Sequence, residues 1–350
     1  MLIETIARLR PVDKSIVPQV VDHLNRLTKP PGSLGQLESL AVNLATVTGE
    51  PFPRVSPPGV LVFAADHGVA AEGVSAFPQS VTAQMVANFV AGGAAINVFA
   101  QGIGARLEVI DVGVAEALPA DGVVNEKVRL GTANFTERDA MSAGEAERAI
   151  EAGIRAAERA VDAGCRCLVV GEMGIANTTT SSALLAVLTG KPVASLTGQG
   201  TGIAEERLAH KRTVIERAIA ARAPAPDNPL EVLAKLGGLE IAAMVGAYLG
   251  GAARRVPLLV DGFIATTAAL LACRLSPAVR DYLIFGHRSR EPGHAHALAA
   301  LGAHPLLDLE LRLGEGTGAA LAFPLLEAAS RMLADMATFE AAGVDTGESD

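Results

Sequence analysis

Aromatic side chains are scarce in this sequence of 350 residues. They make up 3% of the chain and tryptophan is absent, although 50% of the residues are hydrophobic. The core must therefore be built from alanine, valine, leucine and isoleucine. A hydrophobic fraction of this size, in a chain of this length, suffices for a large core and a second, smaller packing unit.

Cysteine is also rare, with only Cys165, Cys167 and Cys273 present. The first two form C-x-C inside an apolar run, which is typical of a reduced cytoplasmic core and not of a disulfide framework. No second Cys/His pair follows at zinc-finger spacing, so the pair alone does not indicate a metal site. The first residues, MLIETIARLRPVDK, are too charged for a signal peptide, and we expect a cytoplasmic protein.

Excess positive charge and long uninterrupted apolar runs are missing as well. The formal net charge is −9 and no basic run is present. An anionic surface repels phosphate backbones, so nucleic acid is not an expected partner. No stretch of eighteen or more apolar residues is free of charges and helix breakers, so no membrane span is expected. Together these absences favour a protein that acts on small molecules.

Short apolar runs alternate with helical patterns along the chain, which predicts an α/β fold with a parallel sheet. The first 50 residues and the segment after Leu321 are predicted to be helices outside the sheet. The predicted strands are residues 59–65, 107–112, 165–170, 257–260 and 282–285, and the clearest helical segments are 143–163, 204–221 and 230–253.

Polar side chains stand where each predicted strand ends, and ligands bind at the carboxyl ends of strands in open α/β sheets. Any one of these residues alone is better explained as a turn residue or a helix cap. The five ends together predict a single acidic cleft along one edge of the sheet. The residues are Asp66 and His67, Asp111, Glu172, Asp261, and His287.

The segment GEMGIANTTT, which begins at Gly171, is typical of a passage from a strand to a helix. Gly171 and Gly174 allow close backbone approach, and Asn177 and Thr178 are good capping residues. The free amide groups of the first helical turn could bind an anion such as phosphate. An ordinary helix cap is the alternative interpretation of this segment.

A second glycine-rich segment is LTGQGTGIAEERLAHK. Gly198, Gly200 and Gly202 precede a predicted helix, and Lys211 falls about two turns into it. A glycine loop followed by a lysine suits a phosphate monoester, although the segment is neither a P-loop nor a dinucleotide-binding fingerprint. The spacing of Arg207 and Lys211 fits a solvated basic helix face equally well.

Three histidines, His287, His294 and His296, lie within ten residues. A metal site is one interpretation, but Pro292 and Gly293 interrupt the segment and no H-E-x-x-H helix is present. Polar contacts to ligand or backbone are therefore favoured. The G-x-S-x-G elbow and the kinase motifs are also absent, which counts against covalent hydrolysis and ATP-dependent phosphoryl transfer.

Near the end of the chain, RLGEGTGAAL places Glu315 between Gly314 and Gly316. The carboxylate is either a solvated loop charge or a catalytic base.

Five motifs in order carry a resemblance that covers residues from about 20 to about 335. The chain resembles the nicotinate-nucleotide–dimethylbenzimidazole phosphoribosyltransferase family of the cobalamin lower-ligand pathway. The motifs are KPPGSLGQLE (29–38), ADHGVAAEGVSAFPQSVTAQM (65–85), GEMGIANTTT (171–180), LVDGFIATTAAL (259–270) and RLGEGTGAALA (312–322).

The resemblance implies a transfer of the phosphoribosyl group from nicotinate mononucleotide to 5,6-dimethylbenzimidazole. The products are α-ribazole 5′-phosphate and nicotinate, and neither a cofactor nor a metal is implied. The implied fold is a Rossmann-like large domain (51–321) and a small helical domain assembled from both chain ends (1–50 and 322–350), in a homodimer.

The resemblance also implies residue roles. Glu315 resembles the general base, Glu172 the second active-site acid and Lys211 a phosphate ligand. The remaining substrate-binding residues that it implies are Gln84, Gly174, Asn177, Thr178, Gly200, Thr201, Gly202, Asp261 and Ser289.

The implied chemistry explains why these residue types are needed. Displacement at the anomeric carbon passes through an oxocarbenium-like transition state, which acids in the cleft can stabilise. The attacking benzimidazole must lose its N–H proton, and a carboxylate within roughly 2.6–3.2 Å can accept it. Inversion from the β- to the α-linkage fits a single displacement, so no covalent intermediate is needed.

Two alternatives remain open at this point. The first is a related phosphoribosyl transfer or hydrolysis that acts on another azole or a purine-like base. The second is a non-catalytic nucleotide-binding protein on the same fold. Such a protein would keep the phosphate-binding glycines but would not need Glu315 and Glu172.

Overall fold

The computed structural model describes residues 1–118, 121–200 and 202–345. The described residues contain six strands, which form one sheet in the order β3-β2-β1-β4-β5-β6 with every neighbouring pair parallel. The order reverses between β1 and β4, and ligands of open α/β sheets bind at the carboxyl ends of strands near such a reversal. The strands are β1 Pro58–Ala65, β2 Arg106–Gly113, β3 Val123–Asn125, β4 Cys167–Met173, β5 Leu258–Val260 and β6 Leu283–Phe285.

The five predicted strands are confirmed, and the parallel α/β class with them. The sequence analysis missed β3, which lies at the edge of the sheet. This strand has only three residues, none of them buried. A short edge strand with polar exposure lacks the apolar run by which the other strands were found.

Helices cover both faces of the sheet, so its strands are buried on both sides. In β1, Val60 and Val62 pack into one core, whereas Leu61 and Phe63 pack into the core on the opposite face. A strand with two buried faces has an apolar run without polar alternation, as its sequence shows.

Fifteen α-helices are found in the described part of the chain. The core on one face of the sheet contains side chains from α6, α7, α11 and α12, and the core on the other face contains side chains from α2–α5 and α14. The helices are α1 Leu2–Arg8, α2 Val17–Arg26, α3 Gln36–Thr48, α4 Val81–Ala91, α5 Ala95–Gly102, α6 Ala143–Asp162, α7 Asn177–Thr189, α8 Val193–Leu196, α9 Glu205–Arg222, α10 Pro229–Leu236, α11 Leu239–Ala253, α12 Phe263–Leu275, α13 Pro292–Ala300, α14 Thr317–Asp335 and α15 Phe339–Ala342.

The predicted helices at 143–163 and 204–221 are confirmed as α6 and α9. The prediction of one helix over 230–253 was wrong, because α10 ends at Leu236 and α11 begins at Leu239. Gly237 and Gly238 separate them in extended conformations, with ψ of −171° and 151°. The break places Glu240 in the first turn of α11.

The two ends of the chain meet, since Leu27 forms a β-bridge with Thr338. Helices α2, α3 and α14 share a core with one face of the sheet, while α1 packs against α6 and α11 on the other face. Helix α14 begins at Thr317, before the predicted boundary at 322. The division into domains 1–50 with 322–350, and 51–321, stays a prediction.

By length and composition alone, Val81–Gly102 could cross a membrane, and such a segment is a weak indication by itself. The segment consists of two helices, α4 and α5, because the chain turns at Gly92 with φ of +81°.

Candidate active site

A cavity of about 440 Å³ opens at the carboxyl ends of β4, β5 and β6. This is the edge of the sheet at which the sequence analysis placed the cleft. Side chains and backbone from six parts of the chain line it: α4 and the loop before it, the β4–α7 loop, Gly200, the start of α12, the segment after β6, and the loop before α14.

Only part of the predicted acidic cleft lines this cavity: Glu172, Asp261 and His287. Asp66, His67 and Asp111 do not line it, so the prediction that all five strand ends share one cleft was wrong. Asp66 accepts a hydrogen bond from the backbone amide of Ala115 (2.8 Å). Asp111 forms an ion pair with Lys127 (3.0 Å). Both carboxylates therefore stabilise the loops that follow β2 and β3.

Glu172 lies at the end of β4 and is 7% exposed. The side-chain amide of Asn177 donates a hydrogen bond of 2.5 Å to its Oε2, and the backbone amide of Glu315 donates a second. Burial raises the pKa of Glu172 to about 8; the charges of Glu240 and Asp261 add to this effect, and the two hydrogen bonds oppose it. At neutral pH this carboxyl group is therefore largely protonated.

Glu315 is buried and not solvated, with 6% of its surface exposed. Its Oε2 accepts a hydrogen bond of 3.3 Å from the backbone amide of Ile96, in the first turn of α5. Burial raises the pKa of Glu315, the Ile96 amide opposes the shift and the charge of Asp261 adds to it. A buried carboxyl group with a raised pKa is better suited to accepting a proton near neutral pH.

The backbone around Glu315 is strained. Its φ is +65°, and Gly314 and Gly316 have φ of +94° and +90°. A non-glycine residue in this region costs roughly 1–3 kcal/mol, and such strain is concentrated at functional sites. The flanking glycines adopt the same region without the steric cost that a Cβ brings.

Glycines also allow the Glu315 loop to lie directly against β4. A Cβ on Gly171 would overlap the backbone of Glu315, and a Cβ on Gly314 would overlap the carboxyl group of Glu172. In the structure these glycines bring the two acidic residues together.

Asp261 holds the start of α14. It accepts hydrogen bonds from the backbone amides of Ala319 (2.9 Å) and Gly316 (3.2 Å). Its Oδ1 is 3.3 Å from Nε2 of His287. Burial disfavours the charge of His287, but the hydrogen bond and the charge of Asp261 outweigh it and raise the pKa of the imidazole. Asp261 thus lines the cavity and also supports the Glu315 loop.

Lys211 lies beneath the cavity and does not line it. The side chain is 1% exposed, and its Nζ donates to Oγ1 of Thr178 (2.9 Å) and to the carbonyl oxygen of Gly198 (3.2 Å). The alternative of a solvated basic face is wrong for Lys211, whereas Arg207 is exposed. Burial lowers the pKa of Lys211 to about 8, against the charge of Glu291.

In the glycine loop, Gly200 lines the cavity. Its amide donates to Oε1 of Glu291 (3.0 Å), and its carbonyl oxygen accepts from Nη1 of Arg312 (3.2 Å). Gly202 is exposed and does not line the cavity, so its role as a binding residue stays a prediction. Thr201 lies outside the described residues.

The sequence analysis missed Arg312, the one arginine or lysine among the described residues that line the cavity. Its position as the first residue of the motif that contains Glu315 was the available signal.

The β4–α7 segment is confirmed as a passage from strand to helix, but its cap differs from the prediction. Ala176, not Asn177 or Thr178, is the N-cap, with φ of +78° and no side-chain cap. Asn177 instead uses its amide group to contact Glu172. The predicted residues Gly174, Asn177, Thr178 and Ser289 all line the cavity.

Gln84 is exposed and does not line the cavity. Val81 and Met85, one helical turn apart on α4, face the cavity together with Phe77. Because successive helical residues point in directions about 100° apart, Met85 at the cavity turns Gln84 away from it. The prediction of Gln84 as a binding residue is therefore not supported by this structure.

The histidines make polar contacts. Nδ1 of His294 accepts a hydrogen bond of 2.7 Å from the amide of Ser289, and its Nε2 lies 3.0 Å from Oγ1 of Thr266. Burial lowers the pKa of His294 to about 3, and the charge of His287 adds to this effect. Among the residues that the structure describes, no group of three or more His, Cys, Asp or Glu residues is arranged to hold a metal ion.

Comparisons with known proteins identify the family. A phosphoribosyltransferase family model matches residues 9–344. The nicotinate-nucleotide–dimethylbenzimidazole phosphoribosyltransferase of Chloroflexus aggregans is 52% identical over 345 residues, 98% of each chain. The enzyme of that name from Geotalea uraniireducens is 50% identical over 349 residues, 99% of each chain.

Solved structures agree with these relatives. A crystal structure of the Thermus thermophilus enzyme of the same name superimposes with a TM-score of 0.91 at 51% identity, and the match covers 96% of this chain and all of the other. The chain therefore belongs to the nicotinate-nucleotide–dimethylbenzimidazole phosphoribosyltransferase family.

Proposed function

We propose that this protein transfers the phosphoribosyl group of nicotinate mononucleotide to 5,6-dimethylbenzimidazole and releases nicotinate. One observation carries the proposal. Two buried acids with raised pKa values, Glu172 and Glu315, are held together in one cavity, where the amide of Glu315 donates to the carboxyl group of Glu172. The apolar wall of Phe77, Val81 and Met85 suits a flat, uncharged base.

In this proposal Glu315 is the general base. A ring nitrogen of the benzimidazole attacks the anomeric carbon as the bond to the nicotinate nitrogen breaks. Glu315 accepts the proton of the other ring nitrogen on its Oε1, while its Oε2 accepts the hydrogen bond from the amide of Ile96. The raised pKa makes this carboxylate a stronger base than an exposed glutamate.

The role of Glu172 in this proposal differs from that of the acid expected from the sequence, which would stabilise positive charge. With a pKa of about 8 it is largely neutral at pH 7, so it offers a hydrogen bond and not a full negative charge to the transition state. Stabilisation of positive charge at the anomeric carbon then falls to the other carboxylates of the cavity, Glu315 and Asp261.

For the phosphate, the proposal uses both cations near the glycine loop. Arg312 reaches the cavity and contacts Gly200 directly. Lys211 lies beneath the cavity, where its hydrogen bonds to Thr178 and to the carbonyl oxygen of Gly198 hold its positive charge close to the phosphate site. These two cations provide the positive charge for the phosphate, because the amide of Gly200 already donates to Glu291.

We also propose a cytoplasmic homodimer that works without nucleic acid, membrane or cofactor. Helices α4 and α5 carry solvent-exposed apolar side chains: Val90 is 38% exposed and Val98 is 60% exposed. Exposed apolar side chains on neighbouring helices are one basis for this proposal, because contacts between subunits bury such side chains. Sedimentation velocity at micromolar concentration tests this proposal, and a monomer would contradict it.

The experiment that tests the reaction is an incubation of purified protein with nicotinate mononucleotide and dimethylbenzimidazole. We expect α-ribazole 5′-phosphate and nicotinate in equal amounts by liquid chromatography and mass spectrometry. Ribose phosphate in place of the α-riboside would indicate a hydrolase. If the protein prefers adenine or another azole in a competition assay, that base and not dimethylbenzimidazole is the acceptor.

A further inference from the structure

Two buried ionisable side chains that the proposed chemistry does not use lie directly behind the cavity. His67 follows β1, Glu240 lies in the first turn of α11, and both are 0% exposed. Nε2 of His67 is 2.6 Å from Oε1 of Glu240. Its Nδ1 is 2.8 Å from Oγ1 of Thr180 on α7. The pair thus connects three separate elements of the fold.

Global stability is a poor explanation for such a pair. Removing two ionisable groups from water costs several kcal/mol, and well-packed apolar residues often replace a buried pair without loss. Oε2 of Glu240 adds to the cost, because it has no hydrogen-bond partner among the described residues. A pair kept under these conditions is better explained by what it holds in place.

The pair packs against the loop of residues 173–176, which joins β4 to α7. A Cβ on Gly174 would lie 3.1 Å from Oε1 of Glu240, 3.1 Å from Nε2 of His67 and 2.6 Å from the carbonyl oxygen of Ala65. The backbone of the loop therefore lies in direct contact with both side chains, and no larger residue would fit at position 174 without displacing them.

A second set of contacts fixes the same loop from α4. The amide of Ile175 donates to Oγ1 of Thr82 (3.1 Å), and Thr82 also hydrogen-bonds the carboxyl group of Asp66. The next residue, Ala176, has φ of +78°. A non-glycine residue keeps such a conformation only where its surroundings impose it.

This loop determines one contact in the active site. It begins after Glu172 and ends before Asn177, and the two are joined by the 2.5 Å hydrogen bond across it. We propose that His67 and Glu240 are positioning residues, which hold the 173–176 loop in the conformation that places Asn177 against Glu172. The catalytic part of this inference rests on the proposed function, since it assumes that Glu172 takes part in the reaction.

The test compares two substitutions of Glu240. Glu240→Leu introduces an apolar side chain of similar size and removes the contact with His67. With both substrates saturating, we expect kcat to fall about 10- to 100-fold, the scale on which small misplacements act, while both KM values change less than about threefold. Glu240→Gln keeps an acceptor for His67, and we expect it to retain kcat within about threefold of the parent.

Glu108→Leu is the matched control. Glu108 is similarly buried, at 8% exposure, and it pairs with Arg159 (3.1 Å) near the amino end of β2, away from the cavity. We expect this variant to lower Tm and to leave kcat unchanged. Hydrogen exchange of the amides at 173–177, measured without substrates, should become faster in Glu240→Leu and stay unchanged in Glu108→Leu.

A folded Glu240→Leu variant with parental kcat and parental exchange would overturn the inference. Equal loss in Glu240→Gln and Glu240→Leu would also overturn it, because the charge and not the contact would then matter. If Glu240→Leu does not fold, Thr180→Val replaces it in the test. We then expect faster exchange at 173–177 and a lower kcat, and parental values of both would contradict the inference. Because exchange is read without substrates, failure of the parent to make α-ribazole phosphate would defeat only the proposed function.

Discussion

At the scale of single residues, burial determines what each ionisable group of the cavity can do. Glu172 and Glu315 are both buried glutamates, yet they differ in their contacts: an amide side chain and a backbone amide hold Glu172, whereas one backbone amide holds Glu315. The pKa of Glu172 is raised to about 8. In Glu172, burial and the charges of Glu240 and Asp261 outweigh these hydrogen bonds and make it a largely neutral acid. Glu315 is the residue that we propose as the base.

The raised pKa of Glu172 predicts a pH dependence of stability. Between its ordinary value near 4.5 and about 8, the folded protein keeps a proton that the unfolded chain has released. Stability from this group is therefore fully present below pH 4.5 and is lost as pH rises towards 8. Glu172→Gln imitates the protonated form, so its Tm relative to the parent should rise between pH 5 and pH 8. A constant difference in Tm across this range would contradict the assignment.

The position of Lys211 predicts a selective loss of affinity. Lys211→Ala removes a cation and its hydrogen bonds to Thr178 and Gly198, contacts worth roughly 1.5–3 kcal/mol when charged groups take part. By calorimetry we expect weaker binding of nicotinate mononucleotide and little change for the benzimidazole. Arg207→Ala is the control, since Arg207 is exposed on the same helix. Equal affinity of Lys211→Ala and the parent for the mononucleotide would remove Lys211 from the phosphate site.

At the scale of elements, close contact between the Glu315 loop and β4 is what brings the two acids together. Gly171→Ala places a Cβ where the backbone of Glu315 lies. Overpacking of this kind costs typically about 1–3 kcal/mol of stability, and displacement of the loop should lower kcat about 100-fold. Gly144→Ala, at an exposed position near the start of α6 with room for a Cβ, should leave kcat and Tm nearly unchanged. A parental kcat in Gly171→Ala would contradict this prediction, because the Glu315 loop would then accommodate the added Cβ without loss of function.

The elements also show how far the sequence could predict this structure. Strands buried on both faces have continuous apolar runs, so five of them were found, while the short edge strand β3 was not. The break at Gly237 was missed because both flanking segments have helical patterns. Lys211 was found as a residue, but its burial beneath the loop depends on contacts with Thr178 and Gly198 that no local pattern contains.

The residues of the cavity were likewise predictable only where a local sequence pattern marked them. Glu172, Asp261 and Glu315 were found because they stand beside glycines in recognisable motifs. Gln84 does not line the cavity, because a one-residue step on α4 turns a side chain by about 100° and Met85 faces the cavity instead. Arg312 was missed because its contact with Gly200 joins distant parts of the chain.

At the scale of the whole molecule, the cavity is built from protein acids, amides and apolar side chains. The described residues contain no cluster arranged for a metal ion, and the proposed displacement needs only proton transfer and charge stabilisation. We expect full activity after exhaustive treatment with EDTA. If EDTA abolishes activity and one added divalent ion restores it, this expectation is contradicted and His287 becomes a candidate metal ligand.

The central claim is that Glu315, and not Glu172, accepts the proton. The most direct test is the single-turnover rate with both substrates saturating, measured for Glu315→Gln and Glu172→Gln separately. We predict that Glu315→Gln binds both substrates normally and slows the chemical step by about 10²–10⁴, the range for a lost acid–base catalyst. A near-parental rate in Glu315→Gln, together with a large loss in Glu172→Gln, would make Glu172 the base and contradict the account.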